Sequence, residues 1–482
     1  MEKPVKKGQD ISVEIEDLAF GGTGISHIND FVIFVKNGLP GQKVYARITK
    51  VKSSFAEARI LKVLKKSPMQ DDAPCPYFEY CGGCTFQNLP YDKQLEYLHN
   101  QVKQLYRHLG GFGPVEVQTP ICSQDIFRYR NKMEFAFSNK RWLTGNFESH
   151  KPDDSALGLR APGNFWKAID LNDCLIAPEE TVAVLETVRN FARKYHLIPY
   201  DQKKHAGFMR HLVLRKARNT NQLMINIVTS DDQHRIFQPL IDNLSAILNN
   251  LTSVVNTISR SLSGTTIGEK QHILFGKDHI FEKLGNLTFK ISPASFFQTN
   301  TVMAEALYNI VVKYAALKNT EVVWDLYCGA GSIALYLAEK AKEVIGFEIV
   351  KDAVKDAREN ATLNQIENVQ FIEGDLDKLF LKNPELLDDL PKPDVVIIDP
   401  PRGGMHPKLI PVVAQLNPRR IIYVSCNPST QVRDLKLLVE DSNYTIDNIQ
   451  PIDLFPHTPH IEVVTRLVYN DALRRGGTVQ RE

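Results

Sequence analysis

The sequence predicts an α/β protein with a parallel β-sheet in its C-terminal part, and three observations support this fold class. Short apolar segments typical of buried strands recur there. The residues that end them, Asp325, Glu348, Asp375, Asp399 and Cys426, are separated by 23, 27, 24 and 27 residues. Each interval is long enough for one strand and one crossover helix. Because the carboxyl ends of parallel strands meet at one edge of a sheet, these five side chains are expected to share one crevice.

Residues 1–66 form the first predicted unit, a small β-barrel. The segment DISVEIEDLAF alternates polar and apolar residues, GGTG is a turn, and strand patterns continue to about Leu64. Between Lys36 and Lys66 nine Lys or Arg residues stand against one acid, Glu57, although the whole chain has a formal charge of only +2. A basic barrel is typical of nucleic-acid binding, although a solvated charged face would produce the same pattern.

The second predicted unit, residues 67–290, contains a cysteine-rich segment, CPYFEYCGGC. Cys75, Cys81 and Cys84 are spaced for metal binding, with zinc as the generic interpretation and an iron–sulfur cluster as the alternative. A disulfide framework is not expected in a long chain that begins without a secretory signal. Three cysteines need a distant fourth ligand, and Cys122 and Cys174 compete for that position.

The same unit contains strand-like segments in which basic and aromatic residues alternate. FRYRNKMEFAF is one, and GFMRHLVLRKA, which includes Arg210 and His211, is another. Such side chains can hold phosphates and stack on unpaired bases, although a half-buried strand with a charged outer face explains the pattern nearly as well. A helix is predicted from about Tyr91 to Leu109, and it could pack on the C-terminal unit instead of the middle one.

The third predicted unit, residues 291–482, contains a glycine loop between a strand and a helix in VVWDLYCGAGSIALYLA. Gly329 and Gly331 allow a tight turn and the close approach of a ligand. Glu348 follows Gly331 by 17 residues, a spacing suited to binding ribose hydroxyls. The third glycine of the dinucleotide fingerprint and the lysine of a phosphate-binding loop are both missing, which favours a ligand without a pyrophosphate. Strand-end acids that merely cap helices are the plainer alternative.

Cys426 follows the apolar run Ile421–Val424 and precedes Asn427 and Pro428, so it is expected where a strand opens into a loop. A cysteine there is well placed as a nucleophile, although most cysteines are simply small buried side chains.

The C-terminal motifs resemble those of the RNA uracil-C5 methyltransferases. FFQTN, DLYCGAGSIAL, IDPPRGG, VSCNP and PHTPHIEVV occur in the same order over about 170 residues. The resemblance implies a class I S-adenosylmethionine-dependent methyltransferase domain with a Rossmann-like fold, an N-terminal OB-like barrel of the TRAM type and a central α+β domain. It also implies that the cofactor S-adenosylmethionine is bound by Gln298, Tyr327, Gly329, Gly331, Glu348, Asp375 and Asp399.

By this resemblance Glu348 holds the ribose, Asp375 lies near the adenine, and Asp399 contacts the methionine part or the target base. The chemistry needs a thiolate that adds to C6 of uracil, which makes C5 nucleophilic, and Cys426 is the candidate. A base must then remove the C5 proton, and Glu462 in HIEVV is the candidate. A solvent-facing strand glutamate is the alternative for Glu462, and Arg402 is either a phosphate contact or a plain surface charge.

The resemblance further implies that the cysteine-rich segment binds a [4Fe-4S] cluster. The fourth cysteine then precedes a proline by a few residues, which fits DCLIAP, so Cys174 is expected as the ligand and Cys122 as a core thiol. The cluster is expected to be structural, because methyl transfer requires no electron.

The expected substrate is RNA, with 23S ribosomal RNA favoured because the barrel and cluster together resemble the ribosomal-RNA branch. A tRNA uracil-C5 methyltransferase, a base-amino methyltransferase suggested by IDPP, and a non-catalytic RNA-binding iron–sulfur protein are the alternatives. The target uridine is expected to be single-stranded or flipped from its stack. Because no apolar stretch reaches about 18 residues, we expect a cytoplasmic protein without a membrane partner. We also expect a monomer.

Overall fold

The computed structural model describes residues 3–113, 115–142, 154–382, 384–387, 389–440 and 442–470. Within these ranges the strands form two six-stranded sheets, one seven-stranded sheet and two small two-stranded sheets. The expected mixture of β and α/β units is confirmed. Among the described residues, no helix is both long enough and apolar enough to cross a lipid bilayer.

The N-terminal sheet contains six strands in the order β1-β5-β6-β4-β3-β2. They are β1 (Asp10–Glu14), β2 (Asp17–Ala19), β3 (Thr23–Ile28), β4 (Phe31–Lys36), β5 (Lys43–Val51) and β6 (Phe55–Lys65). Alternate residues such as Val44, Ala46 and Ile48 are buried, as expected for strands with one face on a core. β1 also contacts β3, so the sheet curls towards closure. The last residues of β6 are exposed on both faces.

The central sheet has the order β14-β13-β12-β11-β7-β8. Its strands are β7 (Lys132–Ser138), β8 (Ala156–Gly158), β11 (Met209–Lys216), β12 (Leu223–Thr229), β13 (Leu251–Ile258) and β14 (Lys270–Gly276), while β9 (Arg160–Ala161) and β10 (Asn164–Ala168) form a separate pair. Before them lie α1 (Phe78–Cys81) and α2 (Tyr91–Gln104), and α3 (Thr181–Lys194) and α4 (Gln238–Ile247) follow. The apolar faces of α3 and α4 share one core with this sheet.

The hairpin β15 (Ile280–Leu284) and β16 (Leu287–Ile291) is followed by α5 (Thr301–Ala315). The boundary expected near residue 290 falls at the end of this hairpin. Its buried side chains, including Ile280 and Phe289, lie in the same apolar cluster as α5 and the C-terminal sheet.

The C-terminal sheet, called here the catalytic sheet, has the order β19-β18-β17-β20-β21-β23-β22. Its strands are β17 (Val322–Leu326), β18 (Glu343–Glu348), β19 (Val369–Glu373), β20 (Val395–Ile398), β21 (Arg420–Ser425), β22 (Tyr444–Ile452) and β23 (Glu462–Tyr469). The helices are α6 (Ser332–Ala338), α7 (Lys351–Leu363), α8 (Leu376–Leu381), α9 (Leu409–Gln415) and α10 (Pro428–Glu440). β17 to β21 are parallel, whereas β23 pairs antiparallel with both β21 and β22.

The predicted helix from Tyr91 to Leu109 consists of α2 and a π-helical turn that ends at Leu109. Leu98, Val102 and Tyr106 pack in the core of the catalytic sheet. The Tyr106 hydroxyl donates to the Gln431 side chain at 2.9 Å and lies 2.5 Å from the Thr465 hydroxyl.

Three expectations about the middle unit are wrong. Cys122, expected as a core thiol, is exposed. Arg210 and His211, considered for RNA contact, are buried because β11 is an inner strand that is covered on both faces. The Arg210 guanidinium donates to the carbonyls of Ser259 and Ser263, so its charge is used within the fold.

The order of strand, loop and helix also differs from the sequence patterns at two points. The strand expected in FRYRNKMEFAF begins only at Lys132, and residues 127–131 instead run beside residues 175–176. Pro428 is the first residue of α10 and not part of an extended loop. A proline is favoured at this helix position, because its missing N–H would have no intrahelical partner there.

Candidate active site and cysteine site

Cys426 and Glu462 lie at the same edge of the catalytic sheet. Cys426 directly follows β21, and Glu462 is the first residue of β23. These strands are antiparallel, and Ser425 pairs with Val463. The charge of Glu462 acts on the Cys426 thiol and raises its pKa, so the two side chains are close. The sheet therefore places a thiol beside a carboxyl group.

The groups around the Cys426 thiol have opposing effects on its pKa. Burial raises the pKa of Cys426 to about 11, the charge of Glu462 adds to this effect, and the Arg402 guanidinium opposes it by charge and by hydrogen bonding. Cys426 also lies just before the N terminus of α10, where the helix dipole favours a thiolate. The thiol is thus protonated in the free protein, and Arg402 is positioned to favour its ionised form.

Glu462 and Asp399 are the acidic groups of this edge. Glu462 is buried, with a relative exposure of 3%. Burial raises the pKa of Glu462 to about 8, with the Asp399 charge adding to it and Arg402 opposing it. Burial also raises the pKa of Asp399 to about 7. A carboxyl group whose pKa lies near neutral pH can both accept and release a proton, which is the property of a general base.

Arg402 is fixed beside the thiol by contacts that the sequence did not indicate. Its Nη2 donates to Nδ1 of His460 at 2.8 Å, and its carbonyl accepts from the side chains of Asn427 and Thr430. Burial lowers the pKa of His460 to about 4, and the charges of Arg402 and Arg130 add to this effect. His460 is therefore neutral and can accept the Arg402 hydrogen bond.

The glycine loop after β17 forms an open cradle next to Glu348. Gly329 and Gly331 have φ angles of 55° and 80°, values that glycine adopts without strain. A Cβ atom at Gly331 would clash with the Phe371 ring at 2.7 Å, whereas one at Gly329 would meet nothing within 4 Å. The Glu348 carboxylate accepts from the backbone N–H groups of Gly329 at 3.0 Å and Val350 at 2.8 Å.

Asp325 belongs to this site as well, although sequence reasoning did not include it among the binding residues. It is fully buried in β17, where the backbone N–H of Ala334 acts on its carboxyl group but neither carboxyl oxygen is within regular hydrogen-bond geometry of a partner in the described part of the chain. Burial, with the charges of Asp399 and Glu348 added, raises the pKa of Asp325 well above its usual range. An unpartnered carboxyl group beside two further acids fits a ligand that carries positive charge.

The structure gives Asp375, Tyr327 and Gln298, the other expected cofactor residues, different local roles. Asp375 is the N-cap of α8, and its side chain accepts from the backbone N–H of Asp377, so it has the capping role considered as the plainer alternative. Tyr327 follows β17 directly and has a φ angle of 67°. The backbone carbonyl of Gln298 accepts from the side chain of Asn131 at 2.8 Å, which ties this segment to the middle unit.

The four candidate metal-binding cysteines come together at a second site. Electrostatic coupling links Cys84 to Cys174, Cys81 and Cys75, although Cys174 is distant in sequence. Burial raises the pKa of Cys81 to about 11 and that of Cys84 to about 12. Buried thiols without a cation stay neutral, so deprotonation of this set requires a positively charged group among them.

In the described part of the chain, no three of these cysteines have sulfur atoms that all lie within 4.8 Å of one another, whereas the ligand atoms of Asp232, His234 and His272 do. Cysteine thiolates are ligands of both zinc and iron–sulfur clusters, so the four thiols fit either metal interpretation.

The Asp232, His234 and His272 set is better explained as a hydrogen-bond network than as a metal site. The Asp232 carboxylate lies 2.7 Å from His234 Nδ1, 2.9 Å from His272 Nε2 and 2.8 Å from Lys270 Nζ. The two imidazole rings stack with centroids 3.8 Å apart and planes at 22°. Lone pairs in nearly parallel ring planes do not converge on one ion, and the lysine already neutralises the carboxylate.

Comparison with known proteins identifies two families along the chain. Residues 216–468 match the family described as tRNA (Uracil-5-)-methyltransferase, which covers the catalytic sheet and all of its helices. Residues 4–61 match the TRAM domain, which corresponds to the N-terminal sheet.

Relatives align over nearly the whole chain. An uncharacterized RNA methyltransferase of Chlorobaculum tepidum is 40% identical over 473 residues, covering 95% of this chain and 96% of the relative. An uncharacterized RNA methyltransferase of Clostridium tetani is 39% identical, and the alignment covers 97% of this chain and 100% of the relative. Among solved structures, the Pyrococcus abyssi tRNA (uracil-54, C5)-methyltransferase in complex with S-adenosyl-L-homocysteine has a TM-score of 0.73 and 30% identity, covering 95% of this chain and 99% of that chain.

Proposed function

Because the chain belongs to the tRNA (uracil-5-)-methyltransferase family, we propose that it methylates C5 of a uridine in RNA through a covalent adduct at Cys426. It is an S-adenosylmethionine-dependent RNA methyltransferase. The observation that supports the adduct mechanism is that Cys426 directly follows β21, close to the buried carboxyl group of Glu462 at the start of β23, whose charge raises the pKa of the thiol.

In this mechanism Cys426 begins the reaction as a thiolate. Its sulfur forms a bond to C6 of the uracil, and the electron pair of the C5–C6 double bond moves towards C5 and the C4 carbonyl oxygen. The Arg402 guanidinium favours the ionised thiol, and the N terminus of α10 acts in the same direction. C5 thereby becomes nucleophilic, whereas C5 of unmodified uracil is a poor nucleophile.

Glu462 completes the reaction after C5 has gained its methyl group. Its carboxylate takes the proton from C5, the C5–H electron pair re-forms the C5–C6 double bond, and the Cys426–C6 bond breaks to release the thiolate. Burial of Glu462 excludes water and sets its pKa at about 8, near the working pH of a general base.

The glycine-loop crevice fits the cofactor, which supplies an electrophilic methyl group when bound. S-adenosylmethionine is cationic at its sulfonium and ammonium groups, and the crevice contains the unpartnered carboxyl group of Asp325 together with Glu348 and Asp399. Gly329, Gly331, Tyr327, Gln298 and Asp375 complete the proposed binding set. The open space at Gly329 leaves room for the close approach of a ligand.

We further propose that Cys75, Cys81, Cys84 and Cys174 hold a [4Fe-4S] cluster. The charges of Cys174, Cys81 and Cys75 all act on Cys84 although Cys174 is distant in sequence, which supports one shared site for the four thiols. Anaerobically purified protein is expected to contain iron and acid-labile sulfide, which Cys174→Ser should lose. Cys122→Ser is the matched control, because Cys122 is exposed and outside the set. Stoichiometric zinc in the wild-type protein would refute the cluster.

The proposed RNA is large-subunit ribosomal RNA, with tRNA as the second candidate. The ribosomal choice follows from the combination of a TRAM domain with the four-cysteine site. The tRNA candidate is favoured by the Pyrococcus abyssi protein, whose alignment covers 95% of this chain and therefore extends into the N-terminal sheet. The N-terminal sheet is therefore common to both candidates.

The test is mass spectrometry of nucleosides after incubation with a deuterium-labelled methyl donor. Separate reactions contain unmodified 23S ribosomal RNA and unmodified tRNA. The proposal predicts labelled 5-methyluridine in the ribosomal RNA and none in the tRNA. Label in tRNA alone would overturn the choice of RNA, whereas label on a base nitrogen would overturn the chemistry.

A further inference from the structure

The segment before Glu462, residues 455–461 and here called the base loop, is joined to the cysteine site by direct hydrogen bonds. The backbone N–H groups of Thr85 and Phe86, the two residues after Cys84, both donate to the carbonyl of His457, at 2.7 and 3.0 Å. His457 has a φ angle of 67°, a conformation that an unconstrained non-glycine residue rarely adopts. These two bonds therefore hold the loop in an unusual shape.

Gln94 fixes the same residue from α2. Its side-chain Oε1 accepts from the His457 N–H at 3.1 Å, and its Nε2 lies 3.1 Å from His457 Nδ1. Nε2 also donates to the carbonyls of Phe86 and Leu89, at 2.9 and 2.7 Å. Gln94 is almost completely buried, with a relative exposure of 1%. One amide side chain thus connects the end of the cysteine-rich segment to the base loop.

Cys174 is linked to the base loop through residues 127–130. The N–H groups of Arg128 and Arg130 donate to the carbonyls of Leu175 and Ile176, directly after Cys174. The Tyr129 hydroxyl between them donates to the carbonyl of Pro456 at 3.1 Å. The Phe127 ring stacks on the His457 ring with centroids 4.5 Å apart. The segment after Cys84 therefore contacts His457 directly, whereas the segment after Cys174 is linked to Pro456 and His457 through residues 127–130.

We propose that Gln94 and His457 are positioning residues that join the cysteine site to Glu462, so that cluster loading holds the base in place for proton removal. The inference rests on the proposed function of Glu462. The segment from residue 71 to 90 contains one short helix, α1, so regular structure contributes little to its position. Phe86 and Leu89 are buried in the core of the catalytic sheet, and we infer that a loaded cysteine site fixes the residues before them. The glycine loop lies on another segment, so cofactor binding should be unaffected. Adduct formation should fall less than proton removal, because the base loop reaches Cys426 only through the contact between His460 and Arg402.

The first test uses the free protein and measures hydrogen exchange of a peptide covering residues 455–462. Faster exchange is expected in Gln94→Ala and in wild-type protein from which the iron has been removed. Gln101→Ala is the matched control, because Gln101 is a buried glutamine of the same helix whose Nε2 donates to the Leu18 and Ala19 carbonyls. Unchanged exchange in both test proteins, or equal loss of protection in Gln101→Ala, would overturn the inference.

The second test separates the reaction steps on uridine-containing RNA. Gln94→Ala and the iron-free protein should accumulate covalent protein–RNA complex, with kcat reduced on the order of tenfold to a hundredfold, as expected for a base displaced by about 1 Å. The KM for RNA should stay within about threefold, because the loop is not the proposed RNA surface. A proportionate loss of adduct and turnover would contradict a role at proton removal.

Different results would contradict the proposed function and the proposed positioning role. If wild-type protein forms no adduct with 5-fluorouridine RNA, the proposed function itself is wrong. If the wild type forms that adduct, the positioning role alone is wrong when neither Gln94→Ala nor the iron-free protein changes in two measurements. These are the hydrogen exchange of residues 455–462 and the amount of covalent protein–RNA complex. The iron-free comparison uses the natural sequence, so a folding defect in Gln94→Ala does not prevent the test.

Discussion

Replacing Glu462 with glutamine should trap the enzyme on its RNA. Two effects of the structure act in the same direction. Glutamine cannot accept the C5 proton, and loss of a general base slows a proton transfer by about 10²- to 10⁴-fold. Above the Glu462 pKa of about 8, the Glu462 charge also raises the pKa of Cys426, so its removal there should favour the thiolate, with each unit of pKa changing the thiolate fraction about tenfold. Adduct formation is preserved or accelerated while release is slowed.

The assay is denaturing electrophoresis with a radiolabelled methyl donor and RNA that contains ordinary uridine. Glu462→Gln should give a labelled protein–RNA band. Asp399→Asn should give none, because this substitution weakens the binding or orientation of the cofactor or the base and does not block proton removal. Free turnover of Glu462→Gln without a trapped band would mean that another group or water is the base.

The pH dependence of the wild type follows from the same residue. A base acts in its deprotonated form, so release should accelerate as pH rises through the Glu462 pKa of about 8. The ionised fraction rises from about 9% at pH 7 to about 91% at pH 9, which predicts about a tenfold gain in single-turnover release. A release rate that is flat over this range would contradict the assignment.

Three further substitutions test the surroundings of the reaction. Arg402→Gln should slow adduct formation with 5-fluorouridine RNA by about tenfold, as expected for loss of a charged hydrogen-bond partner that lowers the pKa of Cys426, and Arg402→Lys should recover part of the rate. Glu348→Gln should weaken S-adenosylmethionine binding by about tenfold in calorimetry, as expected for loss of a charged hydrogen-bond acceptor, while RNA affinity stays unchanged. Lys62→Ala combined with Lys65→Ala, at the exposed end of β6, should reduce the salt slope of RNA binding by up to about 1.4.

The parallel part of the catalytic sheet could be predicted from the sequence because its repeat is regular. A buried strand and a crossover helix need a similar length each time, so Glu348, Asp399 and Cys426 were expected at strand ends, and they lie at the ends of β18, β20 and β21. Burial on both faces also makes such strands readable as continuous apolar runs.

The contacts between distant segments could not be predicted in this way. The antiparallel insertion of β23 beside β21, which brings Glu462 to Cys426, depends on strand order, and spacing does not specify it. The Arg402–His460 pair depends on the same insertion. The burial of single residues was also mispredicted: Arg210 is buried and Cys122 is exposed. Charge and residue type alone do not show whether a neighbouring element covers a side chain.

Peptide mapping of the covalent complex tests the central claim most directly. Wild-type protein is incubated with S-adenosylmethionine and 5-fluorouridine RNA, and both chains are digested before mass spectrometry. The account predicts a methylated 5-fluorouridine nucleotide attached to the peptide containing Cys426, and no adduct in Cys426→Ala, which should still bind the cofactor within a few-fold. Attachment at another residue, or formation of 5-methyluridine in ordinary RNA by Cys426→Ala at the wild-type rate, would contradict it.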